Sequence, residues 1–171
     1  MMRKCMLAGT VMAVILSGFP AAAHAQKLVF VVRHAERADS GATQMQAQAD
    51  PPLSPAGEAR AAKLAGMLAD AGIEAIYATE FRRTRDTAKP LSVKLGLTIQ
   101  QVTSRDTSGL IHRLRAEHRN DIVLVVGHSN TVPAIIKALG GPAITIADDE
   151  YDNLFIVVPD TGTVTRIRFA P

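Results

Sequence analysis

The stretch Asp121-Ile122-Val123-Leu124-Val125-Val126-Gly127-His128 decides the fold. Five consecutive apolar residues suit a central strand covered on both faces rather than one with a wet side. The run ends abruptly at Gly127-His128-Ser129. Working back to the start of the chain, Lys27 to Arg33 is a second β-branched run that ends in charge, at Arg33-His34. It reads as a buried strand that delivers both residues at its carboxyl end.

Between and after these two strands, helix and strand signals alternate. Ser54-Pro55 supplies an N-cap and a first-turn proline, Leu64, Met67, Leu68 and Ala71 share one helical face, and Gly72 stops that helix. Ile73 to Ala78 reads as a strand. Thr79 can cap a helix through Phe81 to about Leu95, ended by Gly96, and Leu97 to Val102 is a further strand. Helices are expected over Ser108–His118 and Thr131–Leu139, the latter closed by Gly140-Gly141-Pro142. Asn153–Val158 and Thr163–Phe169 flank Pro159-Asp160-Thr161-Gly162 as a hairpin. The aperiodic Ala38–Pro52 segment reads as a mobile loop beside the first strand end. This order predicts a three-layer α/β/α sandwich with a mostly parallel central sheet and an antiparallel C-terminal edge hairpin.

The first residues follow a different logic. Arg3 and Lys4 precede an apolar run from Met6 to Phe19, followed by Ala23-His24-Ala25. That is the pattern of a secretory signal peptide, with cleavage expected after Ala25 and a periplasmic or secreted destination. The run is shorter than the roughly 20 residues of a membrane span, so no stable membrane anchor is expected after cleavage. Residues 1–25 are thus a signal peptide and 26–171 one domain of ordinary size. The single cysteine, Cys5, leaves with the signal, so the expected mature chain relies on core burial without disulfides. Loss of Arg3 and Lys4 leaves 17 basic against 16 acidic residues. A near-neutral chain without a basic run argues against nucleic acid as a partner.

In sheets of this kind ligands collect at the carboxyl ends of strands, where Arg33-His34 and Gly127-His128 both stand. If the two strands are neighbours, two imidazoles and a guanidinium converge on one pocket. A third element is Arg82-Arg83-Thr84-Arg85 at a helix start. Arginines there oppose the helix dipole unless an anion such as phosphate is bound, although a solvated face accounts for Arg82 or Arg85.

These motifs together resemble the histidine phosphatase superfamily, also called phosphoglycerate-mutase-like, and within it the short bacterial phosphohistidine-phosphatase-like branch. Arg33-His34-Ala35 stands for the family's Arg-His-Gly. Leu53-Ser54-Pro55-Ala56-Gly57 stands for Leu-Ser-x-x-Gly, and Gly127-His128 for the later Gly-His. Ala78 to Ala88 aligns without gaps to Ser-Ser-Pro-Leu-x-Arg-Thr-x-Gln-Thr-Ala. Departures there are Thr79 for the second serine, Glu80 for proline, Phe81 for leucine and Asp86 for glutamine. The resemblance implies that His34 is the phosphate-accepting nucleophile, that His128 acts with it, and that Arg33 and Arg83 bind the phosphate. It implies no cofactor and no metal, and the sequence has no H-E-x-x-H spacing.

A neutral His34 must attack through one ring nitrogen while a hydrogen bond, such as one to a backbone carbonyl, holds the other. Glu80 and Asp106 are the candidates for general acid. Glu36 either reaches the pocket or pairs with Arg37. Asn130 either contacts substrate or caps the following helix. His112 and His118 are expected on an exposed helix face, and Tyr151-Asp152-Asn153 either lines the pocket or serves the loop. The expected function is metal-independent hydrolysis of a small phosphomonoester or phosphoramidate. The alternatives are a noncatalytic phosphate- or sugar-phosphate-binding module and a phosphomutase.

Overall fold

The run at 122–126 is buried because it has a strand on each side and a helical layer on each face. The computed structural model describes residues 28–38, 50–159 and 161–170. The expected signal peptide, Gln26, Lys27 and most of the expected Ala38–Pro52 loop lie outside them. Among the described residues the elements alternate as β1 (Leu28–Arg33), α1 (Pro55–Leu68), β2 (Ile73–Thr79), α2 (Arg82–Leu95) and β3 (Ile99–Val102). They continue as α3 (Thr107–Glu117), β4 (Ile122–Gly127), α4 (Thr131–Ala138), β5 (Asn153–Val158) and β6 (Thr163–Arg168). The sheet order is β3-β2-β4-β1-β5-β6. β1, β2, β3 and β4 run parallel, whereas β5 and β6 are antiparallel, as the terminal hairpin signal required.

Side chains of period two sort into two cores. Val123 and Val125 of β4 join Val29 and Val31 of β1 beneath Leu110 and Leu114 of α3 and Ile135 and Ile136 of α4. Leu124 and Val126 join Phe30 and Val32 against Leu64 and Leu68 of α1 and Leu91 of α2. The result is the expected three-layer sandwich. Among the described residues no helix is long and apolar enough to cross a membrane.

Local signals placed most boundaries within one or two residues. The Ser54 hydroxyl accepts from the Gly57 amide at 3.1 Å, and Gly96 ends α2 in the left-handed region at φ 68°. Two expectations are corrected. Met67 is exposed, since the buried stripe of α1 runs through Ala61, Leu64, Ala65 and Leu68. Thr79 does not cap α2, because β2 extends through it and Phe81 takes the N-cap position.

Candidate active site

Parallel pairing of β1 with β4 sets Arg33 opposite Gly127, so the chain leaves both strands at the same level. The His34 amide then donates to the Gly127 carbonyl at 2.9 Å. The two rings, His34 and His128, lie edge to face with centroids 5.3 Å apart. On the other side the His128 amide donates to the Thr131 hydroxyl at 2.8 Å as the chain turns into α4. Gly127 is required there, because a Cβ would meet that hydroxyl oxygen at 2.7 Å. Arg83, in the first turn of α2, reaches the same place. Its Nη2 stands 3.4 Å from His128 Nδ1 and its guanidinium carbon 4.2 Å from the Phe81 ring centre. Arg33, His34, Arg83 and His128 all line one cavity of about 640 Å³.

His34 Nδ1 lies 2.8 Å from the Ala35 carbonyl oxygen. A carbonyl only accepts, so Nδ1 carries the proton and Nε2 keeps its lone pair. Burial, helped by Arg83, His128 and Arg33 and opposed by the Ala35 hydrogen bond, pushes the His34 pKa down to about 3. Burial and the nearby Arg83 push His128 to about 4, against the opposing charges of Glu80 and Asp50. Both rings are therefore neutral in the free protein.

That state has a consequence for stability. Unfolded histidines titrate near 6.5, so below that pH the unfolded chain binds protons that the folded chain refuses. Stability should hold above about pH 6.5 and fall on acidification toward the folded values, by up to roughly 1.4 kcal/mol per pH unit for each ring. Thermal unfolding of the wild type and His34→Gln between pH 7 and 4 checks this. The variant should show the shallower slope, and equal slopes would contradict it.

Comparison with known proteins agrees with the fold. Residues 29–104 match the family described as histidine phosphatase superfamily, branch 1. That match spans less than half of the chain, and over it the chain is similar to the histidine phosphatase superfamily. It is 37% identical over 71 residues to a protein of Yersinia enterocolitica described as a probable phosphoglycerate mutase, GpmB. That match covers 42% of this chain and only 33% of the relative. Among solved structures, the protein histidine phosphatase SixA complexed with tungstate superposes with a TM-score of 0.63 at 20% identity, covering 82% of this chain and 94% of that one. A mycobacterial glucosyl-3-phosphoglycerate phosphatase gives a TM-score of 0.61 at 15% identity, covering 84% and 97%.

Several side chains of the site have partners that differ from the expected ones. Arg33 Nη1 donates to the carbonyls of Ala147, Asp148 and Glu150 at 2.9, 3.0 and 3.1 Å, and its guanidinium stacks 4.0 Å from the Tyr151 ring centre. One Arg33 nitrogen thus ties down the loop before β5, while the buried Nε has no acceptor. That loop brings Asp148, Asp149 and Tyr151 to the cavity wall, along with Arg37 and Ser129. Of these only Tyr151 is a candidate from the sequence. The acidic run Asp148-Asp149-Glu150 offered a signal, but its position depends on β5 lying beside β1.

Glu80 and Asp106, the two candidate acids, do not line the cavity. Glu80 accepts from the Ser104 amide and hydroxyl at 2.7 and 2.8 Å. Burial pushes its carboxyl up, but these hydrogen bonds and His128 outweigh it and hold the pKa below the usual range. Asp106 caps α3, accepting from the Gly109 amide at 2.8 Å. Glu36 pairs with Arg60 at 2.7 Å rather than with Arg37, because α1 lies directly over it. Asn130 lines the cavity and makes no side-chain cap, which favours its pocket reading.

Of the three crowded arginines, Arg82 pairs with Asp86 and Arg85 donates to the Glu80 carbonyl, which leaves Arg83 for the cavity. The negative group expected at that helix start is supplied by Asp50, whose carboxylate accepts from the Arg82 amide at 2.9 and 3.0 Å and lies 3.8 Å from Arg83. His112 is exposed as expected. His118 is not, since its ring bridges the Tyr77 hydroxyl at 2.8 Å and Asp121 at 2.7 Å. Of the other two residues named with Tyr151, Asp152 pairs with Arg168 and Asn153 accepts from Arg166. Among the described residues no group of three or more His, Cys, Asp or Glu is placed to hold a metal ion.

Proposed function

We propose that the protein is an exported, metal-independent phosphohydrolase that transfers phosphate from a phosphomonoester or phosphoramidate to His34 and then to water. The observation that carries this reading is the His34 Nδ1 contact with the Ala35 carbonyl, which leaves Nε2 unprotonated in a cavity lined by Arg33, Arg83 and His128. In the first step the Nε2–P bond forms as the bond from phosphorus to the leaving atom breaks. Water then attacks phosphorus, the Nε2–P bond breaks, and inorganic phosphate leaves. The arginines and His128 stabilise the charge on the non-bridging oxygens in both steps.

Glu80 and Asp106 do not line the cavity but Asp148 and Asp149 do, so a leaving group that needs a proton would take it from Asp148 or Asp149, whereas one such as phosphohistidine departs without strong protonation. The solved relatives named as phosphohistidine and sugar-phosphate phosphatases support a phosphorylated substrate of this kind. The other readings, a noncatalytic phosphate binder and a phosphomutase, predict affinity without turnover and phosphate transfer to a second acceptor, respectively.

The test is turnover of a chromogenic phosphate ester with and without chelator, beside His34→Ala. Activity that survives chelator and vanishes in the variant supports the proposal, and activity equal in both proteins sinks it. Arg83→Ala should lower kcat/KM by about 100- to 1000-fold, since it removes a preorganised donor from the same oxygens. Export rests on Arg3-Lys4, the Met6–Phe19 run and Ala23-His24-Ala25. It is checked by sequencing the N-terminus of protein recovered from the periplasm of a Gram-negative host, with Gln26 expected first.

A further inference from the structure

We propose that the hydroxyls of Thr79 and Thr84 form a one-way relay that holds His128 as its Nε2–H tautomer, which makes Thr79 a positioning residue for the cavity. His128 Nε2 lies 2.8 Å from Thr79 Oγ1, and Thr79 Oγ1 lies 2.9 Å from Thr84 Oγ1. Thr84 Oγ1 in turn faces two carbonyl oxygens, Phe81 at 2.7 Å and Thr79 at 3.0 Å. All three side chains are buried, so water does not reorder them.

Each hydroxyl has one proton to give. Carbonyls only accept, so the single Thr84 proton goes to one of them. Thr84 Oγ1 can then face Thr79 Oγ1 only as an acceptor, and the Thr79 proton must fill that contact. Thr79 Oγ1 is left to accept, so the proton between it and His128 belongs to Nε2. Reversing the Thr84–Thr79 contact would leave both carbonyls, rather than one, facing an oxygen lone pair in a buried site, and the additional unsatisfied contact costs about 1–3 kcal/mol. The Arg83 Nη2 donor 3.4 Å from Nδ1 favours the same tautomer.

The relay has a consequence for ligand binding, which rests on the proposed phosphate site. The atom that His128 turns toward Arg83 carries a lone pair, and a lone pair repels a phosphate oxygen unless a proton lies between them. Phosphate therefore binds together with a proton that ends on His128 Nδ1, giving an imidazolium held at Nε2 by Thr79. The charges around that ring are Arg83 and Arg33, which resist protonation, and Glu80 and Asp50, which assist it, with neutral His34 at its edge.

The experiment uses the full chain labelled at the histidine ring nitrogens, as wild type, Thr79→Ser and Thr79→Val. Long-range proton–nitrogen correlation spectra are recorded at neutral pH with and without inorganic phosphate, and His128 is assigned by its absence in His128→Gln. Wild type and Thr79→Ser should show Nε2–H alone when free and both nitrogens protonated with phosphate. Thr79→Val should lose the second proton and respond to phosphate as a neutral Nδ1–H ring. A wild-type His128 with its proton on Nδ1 alone, free or bound, overturns the relay, as does a Thr79→Val spectrum identical to wild type with phosphate. If Thr79→Val does not fold, the wild-type and Thr79→Ser spectra decide. If phosphate changes no spectrum, the phosphate-site reading fails, and the free-state tautomer still supports or overturns the relay.

Discussion

Replacing His34 by alanine should lower turnover of a phosphate ester by about four orders of magnitude or more, the scale on which loss of a nucleophile acts in covalent catalysis. The physical reason is the ring's fixed orientation. Nδ1 is held by the Ala35 carbonyl, and the ring is buried, so Nε2 is the available lone pair. Alanine removes that lone pair but leaves Arg33, Arg83 and His128 in place. Affinity for inorganic phosphate should therefore change by only a few fold while kcat collapses, a split that separates a lost nucleophile from a damaged pocket. Quenching the wild type during turnover should trap a phosphoprotein that is labile to acid and stable to alkali, absent from the variant. A trapped phosphate in His34→Ala would move the nucleophile elsewhere.

The second large effect is expected at Gly57, far from any reacting atom. A Cβ there would lie 2.3 Å from the Glu36 carbonyl oxygen and 3.0 Å from its nitrogen, both backbone atoms that cannot swing aside. The Ser54 amide also donates to that same Glu36 carbonyl at 2.9 Å, so the start of α1 is pinned against residue 36. Gly57→Ala should destabilise the protein by about 3 kcal/mol, the upper range for overpacking. For a domain of this size that lowers Tm by roughly 10 °C.

Activity should fall as well. Residue 36 follows Ala35, whose carbonyl holds His34 and whose amide donates to the Thr87 hydroxyl at 2.9 Å. Displacing this segment by an ångström misplaces Nε2, which is worth up to about 100-fold in rate. Thermal unfolding and kcat measured on the same preparation check both parts. An unchanged Tm would show that α1 can retreat without cost.

Much of the architecture was legible in the sequence because it is encoded locally. Strand 122–127 is recognisable from its own composition, α1 from Ser54-Pro55 and its apolar period, and the hairpin from Pro159-Asp160-Thr161-Gly162 between two β-branched runs. The period of an element and the chemistry of its ends act within about ten residues, so they survive without knowledge of what packs against them. His34 and His128 were legible for the same reason, each being the first polar side chain after a buried strand. Gly57 was visible as part of a motif, but its purpose, the close approach of α1 to residue 36, was not.

The remainder depends on strand order. That β1 lies between β4 and β5 decides that Arg33 holds the carbonyls of 147–150 and that Asp148, Asp149 and Tyr151 reach the cavity. That β2 lies beside β4 decides that Thr79 meets His128, 49 residues away, instead of capping α2. Glu36 found Arg60 rather than its neighbour Arg37 because α1 folds back over it. By itself the sequence determined the elements and the two strand-end histidines, since periodicity and burial need only near neighbours. Only the tertiary structure decided which nitrogen of each ring is free, because the carbonyl and the hydroxyls that hold those nitrogens take their positions from backbone turns and strand pairing.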